Sequence, residues 1–178
     1  DLVSHISKSY SISRQAVNRH LKKLIEDNWL EATGTTRNKV YRLGSRRKNF
    51  VFFDLQHNPS KHTLFFEEFG WVLEGLPKNV SDIIFYGFTE MVNNAINHSE
   101  GIECYVSIKR EIDKVSIIIF DNGEGIFKRI NRLKNLIDEK QALLELSKGK
   151  LTTDPDKHSG QGIFFTSRMF DTFCIISH

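Results

Sequence analysis

The chain has 178 residues, with 25 Lys and Arg against 22 Asp and Glu and a hydrophobic share of 39% that includes 14 Phe. That suffices for a sizeable core and two small modules, and no apolar run reaches bilayer-spanning length or reads as a signal peptide, so a cytoplasmic protein is expected. Cys104 and Cys174 form no metal or redox spacing and the seven His are scattered, which argues against a zinc cluster or a disulfide framework and leaves both cysteines as expected reduced core residues.

Charge is unevenly spread. Asp1 to Lys48 holds eleven Lys or Arg against four Asp or Glu, a net +7, and the remainder nets −4. Asp1 to Tyr10 reads as a short helix and Ser11 to Ser13 as a turn and cap. Arg14 to Asn28 reads as a second helix with Val17, Leu21, Leu24 and Ile25 on one face. This is helix-turn-helix spacing, and its outer side offers Ser13, Arg14, Gln15, Asn18 and Arg19, side chains able to bond base edges and phosphates. The run EATGTTRNKVYRL follows as two short strands about a turn. Together these segments resemble the winged helix-turn-helix domains of bacterial and archaeal regulators. The resemblance implies double-stranded DNA as a partner, with Arg37 and Lys39 on the wing meeting phosphate or the minor groove. It also implies a further helix before Asp1. A protein-docking module with a merely solvated basic face is the alternative.

Gly44 to Asn49 reads as a hinge, Phe50 to Leu55 as a strand, and His62 to Leu76 as an amphipathic helix carrying Phe65, Phe66, Phe69, Trp71 and Leu73. Three segments then carry the chemistry. In TEMVNNAINHS, residues 89–99, a helix sets Glu90, Asn94 and His98 at i, i+4 and i+8, with Asn93 and Asn97 beside them and Phe85, Phe88, Val92, Ala95 and Ile96 opposite. Asn is a poor helix former, so this concentration of it calls for a reason. Next, a strand around Cys104 to Arg110 pairs across a short turn with Lys114 to Phe120, a β-branched run that reads as buried, and Asp121 follows directly, before Asn122-Gly123-Glu124-Gly125. A carboxylate at a strand end can accept from an exocyclic amine, and glycines admit a ligand close to the backbone. A plain DNG turn is the simpler reading of this segment taken alone. Phe127 to Lys148 reads as one long helix with Ile130, Leu133, Ile137 and Leu144, followed by a Gly-, Pro- and charge-rich stretch. Finally SGQGIFF opens another helix, whose free N–H groups suit phosphate, and Thr172 to His178 reads as a strand. There is no GxxxxGK[ST] loop, no dinucleotide-type glycine fingerprint and no nucleophile elbow.

In this order, ExxxNxxxH on a helix, DxGxG after a strand and GxG before a helix resemble the GHKL superfamily of ATPases and kinases. The resemblance covers about residues 63–178. It implies an α+β chain: an N-terminal winged helix-turn-helix over residues 1–46 and a C-terminal Bergerat-fold α/β sandwich over residues 47–178, lacking strands at its carboxy end. ATP and Mg²⁺ are the implied cofactors. Asn94 would coordinate Mg²⁺ and Glu90 would activate water. Asp121 would receive the adenine amino group, and Gly123, Gly125 and Ile126 would line the base and hinge a lid drawn from the stretch up to His158. Gly160, Gln161 and Gly162 would cradle phosphate, with His98 closing the box. The implied function is an ATP-binding transcriptional regulator. Alternatives are an anti-sigma-type serine/threonine kinase, a histidine kinase-like signalling protein and a silent nucleotide-binding scaffold. A protein partner or a homodimer is compatible with all of them.

Overall fold

The structure, a computed structural model, describes residues 2–35, 38–57, 60–148 and 161–177. It is a mixed α+β chain that divides into two compact units, residues 1–49 with 108–116 and residues 50–107 with 117–178.

In the first unit, α1 (Leu2–Ser9) and α2 (Arg14–Glu26) flank a turn in which Ser11 takes a left-handed conformation (φ 52°). Ser13 caps α2, its Oγ accepting from the Ala16 N–H at 3.1 Å, which satisfies one of the orphan donors of the first turn. Val17 and Leu21 are buried, whereas Leu24 is 38% exposed, so the apolar face is narrower than its periodicity suggests. The helix stops two residues short of Asn28, which turns left-handed at φ 61°. β1 (Leu30–Thr33) and β2 (Val40–Leu43) pair antiparallel, with Leu30 opposite Leu43 and Thr33 opposite Val40.

The expected hinge from Gly44 to Asn49 is not a free linker. Gly44 and Arg46 donate to the Trp29 and Asn28 carbonyls, each at 2.9 Å, and a Cβ on Gly44 would lie 2.2 Å from the Asn28 oxygen. β3 (Arg47–Asp54) already begins inside the segment.

β3 joins β4 (Glu103–Arg110) and β5 (Val115–Asp121) in an antiparallel sheet of order β3-β4-β5. The sequence reading of β5 as a buried strand is corrected by its alternating burial: Ile118 and Phe120 are exposed, on the face where Phe50 and Phe52 also stand and where Phe52 meets the Tyr105 ring at 4.8 Å. On β4, Cys104, Val106 and Ile108 are fully buried.

The helix expected from His62 to Leu76 stops at Leu73 and comes in three pieces: α3 (Lys61–Leu64), a π-helical turn (Phe65–Phe69) and α4 (Gly70–Leu73). The wider turn shifts the phase, so Phe65, Phe69, Val72 and Leu73 share the buried side while Phe66 and Trp71 do not. They pack on α5 (Lys78–His98), where the Phe65 and Phe88 rings lie 4.9 Å apart and Ile84, Phe88, Val92 and Ala95 complete the core.

The long helix expected from Phe127 to Lys148 is broken. α6 (Ile126–Lys134) ends at Asn135, left-handed at φ 49°, and α7 (Glu139–Ser147) starts at the Asp138 cap. Side-chain capping by Asp138, whose carboxylate accepts from the Gln141 N–H at 3.0 Å, outweighs continued apolar periodicity. Ile130 and Ala142 are buried, and Leu133, Ile137 and Leu144 are not. α8 (Gly162–Met169) packs on α5. The strand expected from Thr172 onward is absent among the described residues, with no neighbouring strand to pair with, and Cys174 is exposed rather than in the core.

Candidate functional site

The centre of the second unit's candidate site is the polar strip of α5. Glu90, Asn93, Asn94 and His98 are half-buried and Asn97 is exposed, so the strip is open to solvent along a helix whose other side is core. Asn94 Nδ2 reaches only the Met91 sulfur, at 4.0 Å, which leaves its amide oxygen without a hydrogen bond among the described residues. Asn93 Oδ1 accepts a hydrogen bond from Lys61 Nζ, a residue that the sequence reading did not single out.

Two glycine segments meet this helix. At its middle, Gly162, the first residue of α8, lies so close to Glu90 that a Cβ there would stand 1.9 Å from Oε2. The glycine is what lets the carboxylate sit at the start of α8, where the unpaired N–H groups and dipole favour negative charge. Gly87 is packed in the same way against the Phe170 ring and Thr166. Burial first, and the Glu90 carboxylate second, push the Tyr86 hydroxyl above its ordinary value.

At the carboxy end of α5, the loop after β5 docks on Ser99. The Glu124 N–H donates to the Ser99 carbonyl at 3.0 Å, and a Cβ on Gly123 would lie 2.0 Å from that oxygen. Gly123 is therefore a packing glycine, its space filled by the protein itself. Asn122 Oδ1 accepts from the Ile102 and Glu103 N–H groups at 2.8 and 2.9 Å, clamping the loop to the start of β4. Asp121 Oδ1 accepts from the Gly123 N–H at 3.0 Å, and its second oxygen takes no hydrogen bond among the described residues. Gly125 adopts φ 86°, a conformation that favours glycine, immediately before Ile126 starts α6.

An ion-pair network that was not legible in the sequence ties α6 to this corner. Arg132 meets Glu124 at 2.6 Å and Glu100 at 3.0 Å, and Arg129 meets Glu100 at 2.7 Å and Glu124 at 3.3 Å. The Arg132 hydrogen bond is the main cause that holds the Glu124 carboxyl below its ordinary range. Gln161 is half-buried beside α8, whereas residues 149–160, which include Gly160 and most of the stretch expected to supply a lid, lie outside the described residues.

Asn94 and Asp121 each keep one side-chain oxygen without a hydrogen bond among the described residues. Among the described residues no group of three or more His, Cys, Asp or Glu could hold a metal ion by itself. A hard cation that keeps several waters needs only one protein oxygen besides phosphate, and Asn94 offers one. Asp121 offers a carboxylate oxygen to an amino group. Glu90, seated at the start of α8, would share that helix end with any phosphate and a neutralising cation.

In the first unit, Arg14, Gln15, Asn18 and Arg19 all lie on the exposed side of α2. Ser13 is exposed as well, and its Oγ accepts from the Ala16 N–H in the cap expected of the turn. Lys39 lies over the Tyr41 ring at 5.5 Å, beside a groove lined by Asn18, Lys22 and Glu26, and Arg37 lies outside the described residues.

No family model, curated protein or solved structure matches the chain. Its function therefore rests on the geometry and chemistry of these residues. No helix among the described residues is long and apolar enough to cross a membrane.

Proposed function

We propose that the chain is an ATP-responsive DNA-binding regulator, with a winged helix in its first unit and a GHKL-type Mg²⁺-ATP site in its second. The observation that carries the nucleotide reading is the convergence of two distant segments on α5, which itself carries Glu90 and Asn94: Gly162 lies against Glu90, and the Asp121 loop lies against Ser99. These contacts bring Gly162 and the Asp121 loop to the two ends of the polar stretch of α5. Asp121 would hold the adenine amino group and Asn94 the metal. Glu90, one helical turn from Asn94, would take a proton from a water. Bound Mg²⁺-ATP supplies an activated phosphoanhydride. DNA binding is supported by the exposed polar and basic side of α2 and the net charge of the amino-terminal segment.

Regulation follows if the nucleotide favours one arrangement of the protein over another, since a ligand shifts an equilibrium only by its differential affinity. The test is fluorescence anisotropy of a labelled duplex pool titrated with the protein, with and without Mg²⁺-ATP. The proposal expects a shift of about 5- to 150-fold in DNA affinity. Unchanged affinity at saturating nucleotide would overturn the coupling, and no DNA binding at low salt would overturn the winged-helix reading.

A further inference from the structure

Lys61 stands out among the lysines of the second unit. Lys78 pairs with Asp82 and Lys148 with Glu145, as surface lysines commonly do. Lys61 is half-buried, makes no ion pair among the described residues, and gives one of its three donors to a neutral amide, Asn93 Oδ1. Withdrawing an ammonium from water beside an uncharged partner forgoes the Coulomb return that offsets desolvation. The position is held by the packing around it. Lys61 opens α3 behind the Ser60 cap, and the following residues are fixed to α5 by contacts between the rings of Phe65 and Phe85 and of Phe65 and Phe88, each at 4.9 Å. This packing presents a cation at Asn93, at the edge of the α5 strip.

We propose that Lys61 is an anion-binding residue of the nucleotide site and contacts the terminal phosphate of ATP. This rests on the reading of the strip as a nucleotide site. Orientation along α5 selects the phosphate. The Asp121 loop, which would take the base, docks at Ser99 beyond the carboxy end of the helix, whereas Asn93 lies on the Glu90 side of Asn94. A ligand whose base lies at Ser99 directs its phosphates toward Asn93 and Glu90, and the last of them meets the Lys61 ammonium. Lys61 supplies a point charge with two donors to spare, which suits a phosphate oxygen.

Calorimetric titration of the whole chain with Mg²⁺-ADP and with a Mg²⁺-bound non-hydrolysable ATP analogue, for wild type, Lys61→Met and Lys61→Arg, tests the assignment. Losing a hydrogen bond to a charged group should weaken the ATP analogue about 10- to 100-fold in Lys61→Met. ADP binding should change less than about 3-fold, and Lys61→Arg should retain most of the preference. Equal losses for both nucleotides, or no loss for either in a Lys61→Met protein with wild-type circular dichroism, would overturn the terminal-phosphate role. If wild type binds neither nucleotide, the nucleotide site itself fails and Lys61 falls with it.

Discussion

Replacing Gly123 by Ala probes the joint on which the candidate site depends. The added Cβ would stand 2.0 Å from the Ser99 carbonyl oxygen and 2.6 Å from its carbon, both backbone atoms that no rotamer change can move. Relief requires the loop and the end of α5 to part by about 1 Å or more, which lengthens the hydrogen bond from the Glu124 N–H to that same oxygen, now 3.0 Å. Overpacking of this kind costs about 1–3 kcal/mol and the lost hydrogen bond about 0.5–1.5 kcal/mol. The expected destabilisation is roughly 2–4 kcal/mol, or a fall in Tm of about 5–15 °C for a chain of this size. Gly70→Ala is the matched control. Gly70 is helical at φ −52°, ψ −44°, and a methyl group added there would meet nothing within 4 Å, so alanine should stabilise by about 0.4–1 kcal/mol. Thermal melts followed by circular dichroism read both variants. A Gly123→Ala protein that melts within about 1 °C of wild type would refute the docking of the loop on Ser99, and with it the route by which Asp121 is placed.

Other predictions probe separate parts of the chain. Burial first and the nearby Asp121 carboxylate second push the Cys104 thiol up to about 12, while Cys174 is exposed, so a thiol reagent at mildly alkaline pH should titrate one cysteine in the native protein and the second only on denaturation. Two fast equivalents would contradict the packing of β4. In the first unit, hydrogen bonds from Lys109 and Arg46, with Lys114 nearby, hold the Glu111 carboxyl at about 2 against an ordinary 4.5. A depressed folded-state pKa stabilises above the unfolded value, and that contribution is lost as pH falls toward the folded one. The urea midpoint of wild type should therefore exceed that of Glu111→Gln near neutral pH, with the gap closing from about pH 5 to about pH 2. A gap independent of pH would show that the loss is one of packing. Ser13→Ala should cost about 0.5–2 kcal/mol through the lost cap of α2, measured by chemical denaturation of the first unit's transition, and Ser13→Asn should restore most of it.

Much of α5 was legible because an amphipathic helix writes its 3.6-residue period into the sequence, and Glu90, Asn94 and Phe88 fell where that period put them. The β1 and β2 strands and the Ser13 cap were legible for a similar reason, since turns and caps favour particular residue types. What could not be read is non-local. Gly123 looks the same in sequence whether its open side faces a ligand or the Ser99 carbonyl, and only the fold decides for the carbonyl. Lys61 lies 32 residues from Asn93, and no periodicity links them. The Arg129 and Arg132 pairs with Glu100 and Glu124 also depend on where the Asn122 clamp leaves the loop. Local competition explains the broken helix, where Asp138 offered a cap that apolar periodicity concealed. Burial of β5 was overestimated because β-branched residues favour strands whether one face is covered or two.

Calorimetric titration of a Mg²⁺-bound, non-hydrolysable ATP analogue into wild type and Asp121→Ala tests the central claim most directly. The account predicts saturable binding by wild type, weakened about 10- to 100-fold in the variant by loss of a hydrogen bond to a charged group. A folded wild-type protein that takes up no nucleotide, or an Asp121→Ala protein that binds as tightly as wild type, would contradict it.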